Sequence, residues 1–227
     1  MQSERIQQIE VYAQHVMDEL VTGDLGLAHN YAHVDRVRRW AVKIARREGL
    51  ADLDLVQAAA LLHDIGLGFV SHRRDHAQVG ADKAAEFLHT HLTFTDDEIA
   101  AICEAIRCHT KLKGGGKLGV ILRDADAMEL LGAMGIMRGC TSMYARPEYE
   151  AGNVKGETWG ITADGITARF QAGLGVGPTI VDHLNFQISC YENLQTEAAR
   201  EWGRPLIEYL RQYILQLEHE ITFAEAL

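Results

Sequence analysis

The chain has no apolar run approaching the ~20 residues needed to span a bilayer, so no helical membrane span is expected. It also lacks a positive surplus: 22 Lys and Arg stand against 32 Asp and Glu, a formal net charge of −10. Stable binding to nucleic acid or to an anionic membrane surface is therefore not expected, because both reward a positive face. Cysteine is sparse. Cys103, Cys108, Cys140 and Cys190 form no CxxC pair and no dense disulfide framework, and they read as reduced thiols of a cytoplasmic protein. The opening MQSERIQQIE is polar and mixed in charge, unlike a secretory signal. There is no G-x-x-x-x-G-K-[ST] loop and no H-E-x-x-H helix, which argues against P-loop ATPase chemistry and a conventional zinc protease.

What is present is helical periodicity. Of 227 residues 47% are hydrophobic, enough for one full core, and the reading is a single all-α domain over residues 1–227. Ile6, Ile9, Tyr12, Val16 and Leu20 recur at steps of three and four, as do Val34, Val37, Ala41 and Ile44. LVQAAALLHDIG (55–66) is apolar nearly all round, which predicts a helix at the centre of the domain, with Gly66 placed to end it. Another helix is expected over 75–89, and Thr95 with Glu98 makes a capping box ahead of Ile99, Ile102 and Ile106. KLKGGGKLG (111–119) is a break, followed by an apolar helix from about 118 to 131. From about 145 to 178 the pattern dissolves into Gly-rich sequence, which reads as a lid or binding loop, or as a β-ribbon around 158–167. Amphipathic helices resume over about 179–221, the last carrying Leu206, Leu210, Ile214 and Leu217 on a stripe that packs internally or against a second copy in a homodimer.

The chemistry lies in His and Asp residues set where core residues belong. His63 and Asp64 follow AAALL directly, and burying that pair without partners would cost several kcal/mol. A divalent cation held by both removes the cost. His29 and His33 lie one turn apart in HNYAHVDRV, and Asp124 and Asp126 sit within the apolar VILRDADAMELL. Helical phase does not choose between the two aspartates.

H-x-x-R-V (33–37), LLHDIG (61–66) and DADAMELLGAMGI (124–136), in that order, resemble the HD superfamily of metal-dependent phosphohydrolases, and most of all its small single-domain bacterial members. The likeness covers roughly residues 29–135. It implies an HD-domain helical bundle, with the long Gly-rich insert and the C-terminal amphipathic helices added to it. It also implies a metal site of His33, His63, Asp64 and Asp126, with His63 and Asp64 at the catalytic centre. Asp124 is then expected to orient a histidine, and His29 to cap a surface turn. His76, four residues before a Gly-Ala pair, and His109, at the end of a helix, match positions that supply a second metal in some members. His15, His72, His89, His91, His183 and His219 are expected to face solvent.

Mixed His and carboxylate ligation suits Mn, Mg or Fe, as one ion or two. The implied activity is hydrolysis of a phosphoester or phosphoanhydride in a small phosphorylated substrate, such as a nucleotide. Arg36, Lys111, Lys113 and Lys117 are the candidate phosphate contacts, although a salt bridge explains Arg36 equally well and a solvated charged loop is the default reading of the lysines. The small members carry a Lys where this chain has Gln187. The alternative is a di-iron oxygenase of the same superfamily, using His33, His63, Asp64, His76, His109 and Asp126. A non-catalytic, ligand-binding sensor comes third.

Overall fold

The computed structural model describes residues 3–23, 28–144, 153 and 155–225. Among these the regular structure is helical and contains no strand, and no helix is long and apolar enough to cross a membrane. All four cysteines are free thiols. The chain divides into two compact units, one of residues 1–129 with 195–199 and one of 130–194 with 200–227.

In the first unit, α1 (Glu4–His15) runs into a π-helical turn at Val16–Leu20. It buries Ile6, Ile9, Ala13 and then Val16, whereas Leu20, where the regular helix has been left, is exposed. Helix α2 (Tyr31–Arg47) starts at Asn30, whose side chain accepts the His33 amide at 3.1 Å, an N-cap. Its buried face carries Val34, Val37, Ala41 and Ile44, the predicted stripe, together with His33. Helix α3 (Leu53–Leu62) is capped by Asp52, which accepts from the Asp54 and Leu55 amides. Val56 and Ala58 through Leu62 are all buried, and α3 packs against α1 and α2. Burying each Leu or Val side chain contributes about 1.5–3 kcal/mol, so the run that holds the HD dipeptide is also a main source of stability.

The central helix stops earlier than Gly66. Asp64 has left the helical region (φ −105°, ψ 0°), and a 3₁₀ turn covers Ile65–Phe69. The glycine does a different job. A Cβ on Gly66 would lie 2.0 Å from the His76 carbonyl oxygen and 2.6 Å from the Gly80 amide nitrogen. Two glycines thus let the turn after Asp64 touch the backbone of α4 (His76–His91), which brings His76 to Asp64. A 3₁₀ turn at Arg73–Asp75 leads into α4.

Helix α5 (Asp96–Cys108) opens on the predicted capping box, with Glu98 N–H donating to Thr95 Oγ1 at 3.2 Å and Thr95 N–H to Glu98 Oε2 at 2.7 Å. Its apolar face packs on α3 and α4, and His109 caps its end. Gly114, Gly115 and Gly116 take φ of +100°, +73° and +56°, a left-handed run that other residues adopt only under strain. That reversal starts α6 (Gly116–Met128), which packs on α2, α3 and α5 and carries both aspartates of the DAD triplet.

The second unit holds α7 (Gly132–Tyr144), α8 (Ala163–Gln171), α9 (Ile180–Glu192) and most of α10 (Glu197–Glu225), with α9 packed on α7 and α8. Where a β-ribbon was one reading, 163–171 is helical. Thr162 accepts the Ile166 amide on its carbonyl and the Gly165 amide on Oγ1, and Ile166 is buried. Residues 145–152 and 154 of the predicted insert lie outside the described residues. The described parts flanking α8 are fastened by Asp182, which accepts from the amides of Glu157, Thr158 and Thr179 and from both threonine hydroxyls. His183, expected in solvent, is buried on α9, where a Cβ on Gly139 would come within 2.7 Å of its ring. Gln187 is fully buried and donates to the Gly135 carbonyl at 2.8 Å. His15, His72, His89, His91 and His219 are exposed, as expected.

Candidate metal centre

Five elements of the first unit bring their chemistry to one carboxylate. Asp64, 3% exposed, projects from the end of the buried α3 run. Its Oδ2 lies 3.3 Å from His63 Nε2 and 3.6 Å from His33 Nε2, and its Oδ1 lies 3.2 Å from His76 Nε2 and 3.6 Å from His109 Nε2. Asp126 joins from α6, with Oδ1 3.4 Å from His33 Nε2. Two triads result, His33–His63–Asp64 and Asp64–His76–His109, each buried and each with its donor atoms within 4.8 Å of one another. They share Asp64.

The tautomers are set by what the other ring nitrogens meet. Nδ1 of His63 is 2.7 Å from the Ala60 carbonyl, and Nδ1 of His109 is 2.7 Å from the Ile106 carbonyl. His76 Nδ1 bonds the Arg73 carbonyl. A carbonyl only accepts, so each Nδ1 carries the hydrogen and each Nε2 presents a lone pair. Two such lone pairs, on His76 and His109, face each other at 3.1 Å. His63 Nε2 is fully buried without a hydrogen-bond partner. Lone pairs converging on a buried carboxylate repel unless a cation lies among them. Ligands about 2.1 Å from one ion at ordinary coordination angles stand about 3.0–3.4 Å apart, close to the separations here. The residues therefore fit a divalent cation, and among the described residues two groups could hold one.

The titration of the site points the same way. Burial opposes charge on Asp64, but His63, His109 and His33 around it hold its carboxyl well below the ordinary range. Burial likewise opposes charge on Asp126, and His33 and His63 outweigh it. Burial pushes the His63 imidazole down, while Asp64 and then Asp126 raise it by more. The cluster is built to hold positive charge between its carboxylates.

Other expected residues are placed differently. Asp124, 2% exposed, touches no histidine; it accepts from the amides of Gln195 and Thr196 and from Thr196 Oγ1 at 2.7 Å, and so anchors segment 195–199. His29 is no surface cap, since Asn30 takes that role; it is buried, accepts from Arg73 Nη2 at 2.8 Å and stands edge-on to His33 at 5.8 Å. Arg36 donates through Nε to Glu129 at 2.6 Å, the salt-bridge alternative, while Asp35 pairs with Arg38 and Arg39. Lys117 donates to the Glu48 carbonyl at 2.6 Å, and Lys111 and Lys113 are exposed.

Glu129 was missed from the sequence. It is 3% exposed, and its Oε2 lies 3.7 Å from His33 Nδ1. The available signal was its place three residues after Asp126, one turn further along the same helix end.

Residues 30–131 match the HD domain family. No curated protein matches the chain in sequence. Among solved structures, a Lactobacillus plantarum protein aligns with a TM-score of 0.71 at 20% identity, over 98% of this chain and 99% of its own. An HD-superfamily hydrolase from Bacillus thuringiensis aligns with a TM-score of 0.66 at 20% identity, over 96% and 97%. Bacillus subtilis YpgQ, solved in complex with ADP, aligns with a TM-score of 0.62 at 23% identity, over 96% and 95%. At these identities the likeness is one of fold, and it runs through the helices on both sides of the matched domain. Motifs in the HD order, the helical bundle around them and the family match agree, and residues 30–131 of the chain match an HD domain.

Proposed function

We propose that this chain is a metal-dependent phosphohydrolase acting on a small phosphorylated substrate, a nucleotide or a close relative. In this reading His33, His63, Asp64 and Asp126 hold one divalent cation, and Asp64, His76 and His109 hold a second. The observation that carries it is the arrangement around Asp64: four imidazole Nε2 atoms within 3.2–3.6 Å of its two oxygens. The ligand set has nitrogen and oxygen but no thiolate, which suits Mn, Mg or Fe better than a structural zinc.

When bound, such a cation lowers the pKa of a coordinated water and neutralises charge on the phosphoryl oxygens. The chain's own residues then do the positioning. The helix carbonyls fix three imidazoles with Nε2 pointing inward. Asp126, whose side chain is 32% exposed, presents its carboxylate at the open edge, where substrate and water arrive. Water adds at phosphorus, the phosphorus–oxygen bond to the leaving group breaks, and the proton of the water passes to a site carboxylate or to solvent. Of the cations predicted to meet phosphate, Lys111 and Lys113 fit that task best, two and four residues beyond His109, because Arg36 and Lys117 are engaged elsewhere. That YpgQ was solved with ADP supports a nucleotide-like ligand.

The second triad also favours another reading, a di-iron oxygenase, because His76 and His109 complete the six-residue set that chemistry requires. One experiment separates them. Metal-stripped protein is reloaded with Mn, Mg or Fe and screened for phosphate and pyrophosphate release from nucleotides and phosphodiesters, with Asp64→Ala as control. Release with redox-inert Mg that disappears in the variant supports the hydrolase. Silence with every metal, together with an iron absorbance change in air, supports the oxygenase.

A further inference from the structure

Three of the four histidines around Asp64 share one device. His63, His76 and His109 each place Nδ1 on the carbonyl three residues earlier, Ala60, Arg73 and Ile106. Each of them closes a helix or a 3₁₀ turn, and the Arg73 and Ile106 carbonyls also accept the backbone amide of the same histidine. His33 stands at the other end of its helix: it is the third residue of α2, and the carbonyl three back, that of Asn30, accepts the amides of both His33 at 3.0 Å and Val34 at 3.2 Å.

What stands at His33 Nδ1 instead is the Glu129 carboxylate, with Oε2 3.7 Å away. Glu129 follows the last residue of α6, three positions after Asp126, and its side chain is 4% exposed. The same Oε2 accepts from Arg36 Nε at 2.6 Å, and Arg36 lies one turn beyond His33 on α2. The Arg36 guanidinium stands on this buried carboxylate as its counter-charge. At 3.7 Å the carboxylate acts on the ring by charge rather than by a hydrogen bond. Negative charge beside Nδ1 favours the hydrogen at that atom and enriches the lone pair on Nε2.

We propose that Glu129, clamped by Arg36, is a positioning residue that does for His33 what the helix carbonyls do for the other three histidines. It holds the Nδ1–H tautomer and turns Nε2 towards Asp64 and Asp126. This assigns the Arg of H-x-x-R-V to the support of a metal ligand rather than to phosphate, and it rests on the reading of His33 as a ligand.

The test needs no substrate. Mn binding to the metal-stripped full chain is followed by the loss of the free-ion EPR signal. The ring tautomer of His33 is read from long-range ¹H–¹⁵N spectra under alkaline conditions, where the imidazole is neutral. Glu129→Gln is expected to weaken the tighter Mn site about 10- to 100-fold, the usual scale for an outer partner of a ligand, and to shift His33 towards the Nε2–H tautomer. Glu129→Asp should restore part of both, and Arg36→Gln should weaken Mn binding in the absence of any phosphate. If Glu129→Gln does not fold, Arg36→Gln carries the same test, since it leaves the carboxylate in place and removes its clamp. Affinity within twofold of the parent and an unchanged tautomer, in whichever of the two variants folds, overturns the proposal. His33→Ala separates the two failures: if it too keeps the parent affinity, His33 is not a ligand and the site reading itself falls.

Discussion

Asp64 and Asp182 are both buried carboxylates at the ends or starts of helices, and they are surrounded in opposite ways. Asp182, fully buried, accepts from three backbone amides and two threonine hydroxyls. Every neighbour has a hydrogen to give, so the charge is satisfied and the loops around it are fastened. Asp64 meets four imidazoles, and the three whose tautomers the carbonyls fix offer lone pairs. A carboxylate among donors is a structural anchor. A carboxylate among acceptors is incomplete until a cation joins it.

The largest effect that would break this comparison is catalytic. Asp64→Ala should lower metal-dependent phosphate or pyrophosphate release by about a thousandfold or more, the scale on which removal of a principal charge-stabilising group acts. Asp182→Ala should leave the turnover of whatever folded protein remains within a few-fold of the parent. Comparable losses of turnover per folded molecule in both variants would sink the distinction.

The next effect is on stability, and it reverses the order. Asp182→Asn places an amide NH₂ against N–H and O–H donors, and it should cost about 2–4 kcal/mol by urea unfolding. Asp64→Asn gives the imidazole lone pairs a donor, so the metal-stripped protein should stay within about 1 kcal/mol of the parent or exceed it. Mn at a hundred times its dissociation constant should stabilise the parent by about 2.7 kcal/mol. Asp182→Asn should keep that increment and Asp64→Asn should lose it.

A smaller change sharpens the picture within the site. His76→Ala or His109→Ala should reduce the number of Mn ions bound by one, with the tighter site retained. Isothermal titration would show this, and loss of both ions in either variant would mean that the two triads are not separable.

How much of this could be read from the sequence differs residue by residue. His33, His63, Asp64 and the pair Asp124 and Asp126 stood out because they sit where core residues belong, and only the resemblance carried by three short motifs in a fixed order favoured Asp126. Most of the helices followed from apolar stripes, but α8 lies in the stretch read as a loop or a β-ribbon. Glu129 did not stand out, because a glutamate at a helix end reads as solvated and its partner Arg36 is 93 residues away. Asp182 did not stand out either, because its donors come mainly from a Gly-rich stretch with no period. Gly66 was legible as a helix stop but not as one half of a backbone contact with Gly80, which depends on two elements meeting in space. Periodicity reports which face is buried and says little about what two buried faces place together.

The smallest expected effect is in pH. In metal-stripped protein the His63 imidazole is pushed down by burial and raised by more by Asp64 and Asp126, so its folded value lies above its unfolded one. A group of that kind contributes stability that is complete below the unfolded value, about 6.5, and lost as pH rises through the folded value. Asp64 and Asp126 are lowered despite burial, and their contribution is present above the ordinary carboxylate range and lost only in acid. The stripped protein should therefore lose a few degrees of Tm as pH rises above about 6.5 and through the folded value, as the proton that stands in for the cation departs. Mn should reverse the trend, because the same deprotonation bares the ligands and strengthens binding. In Asp64→Asn, where the neutral amide no longer needs a neighbouring positive charge, the alkaline decline should flatten. A decline of equal size in Asp64→Asn and the parent would place its origin outside this cluster.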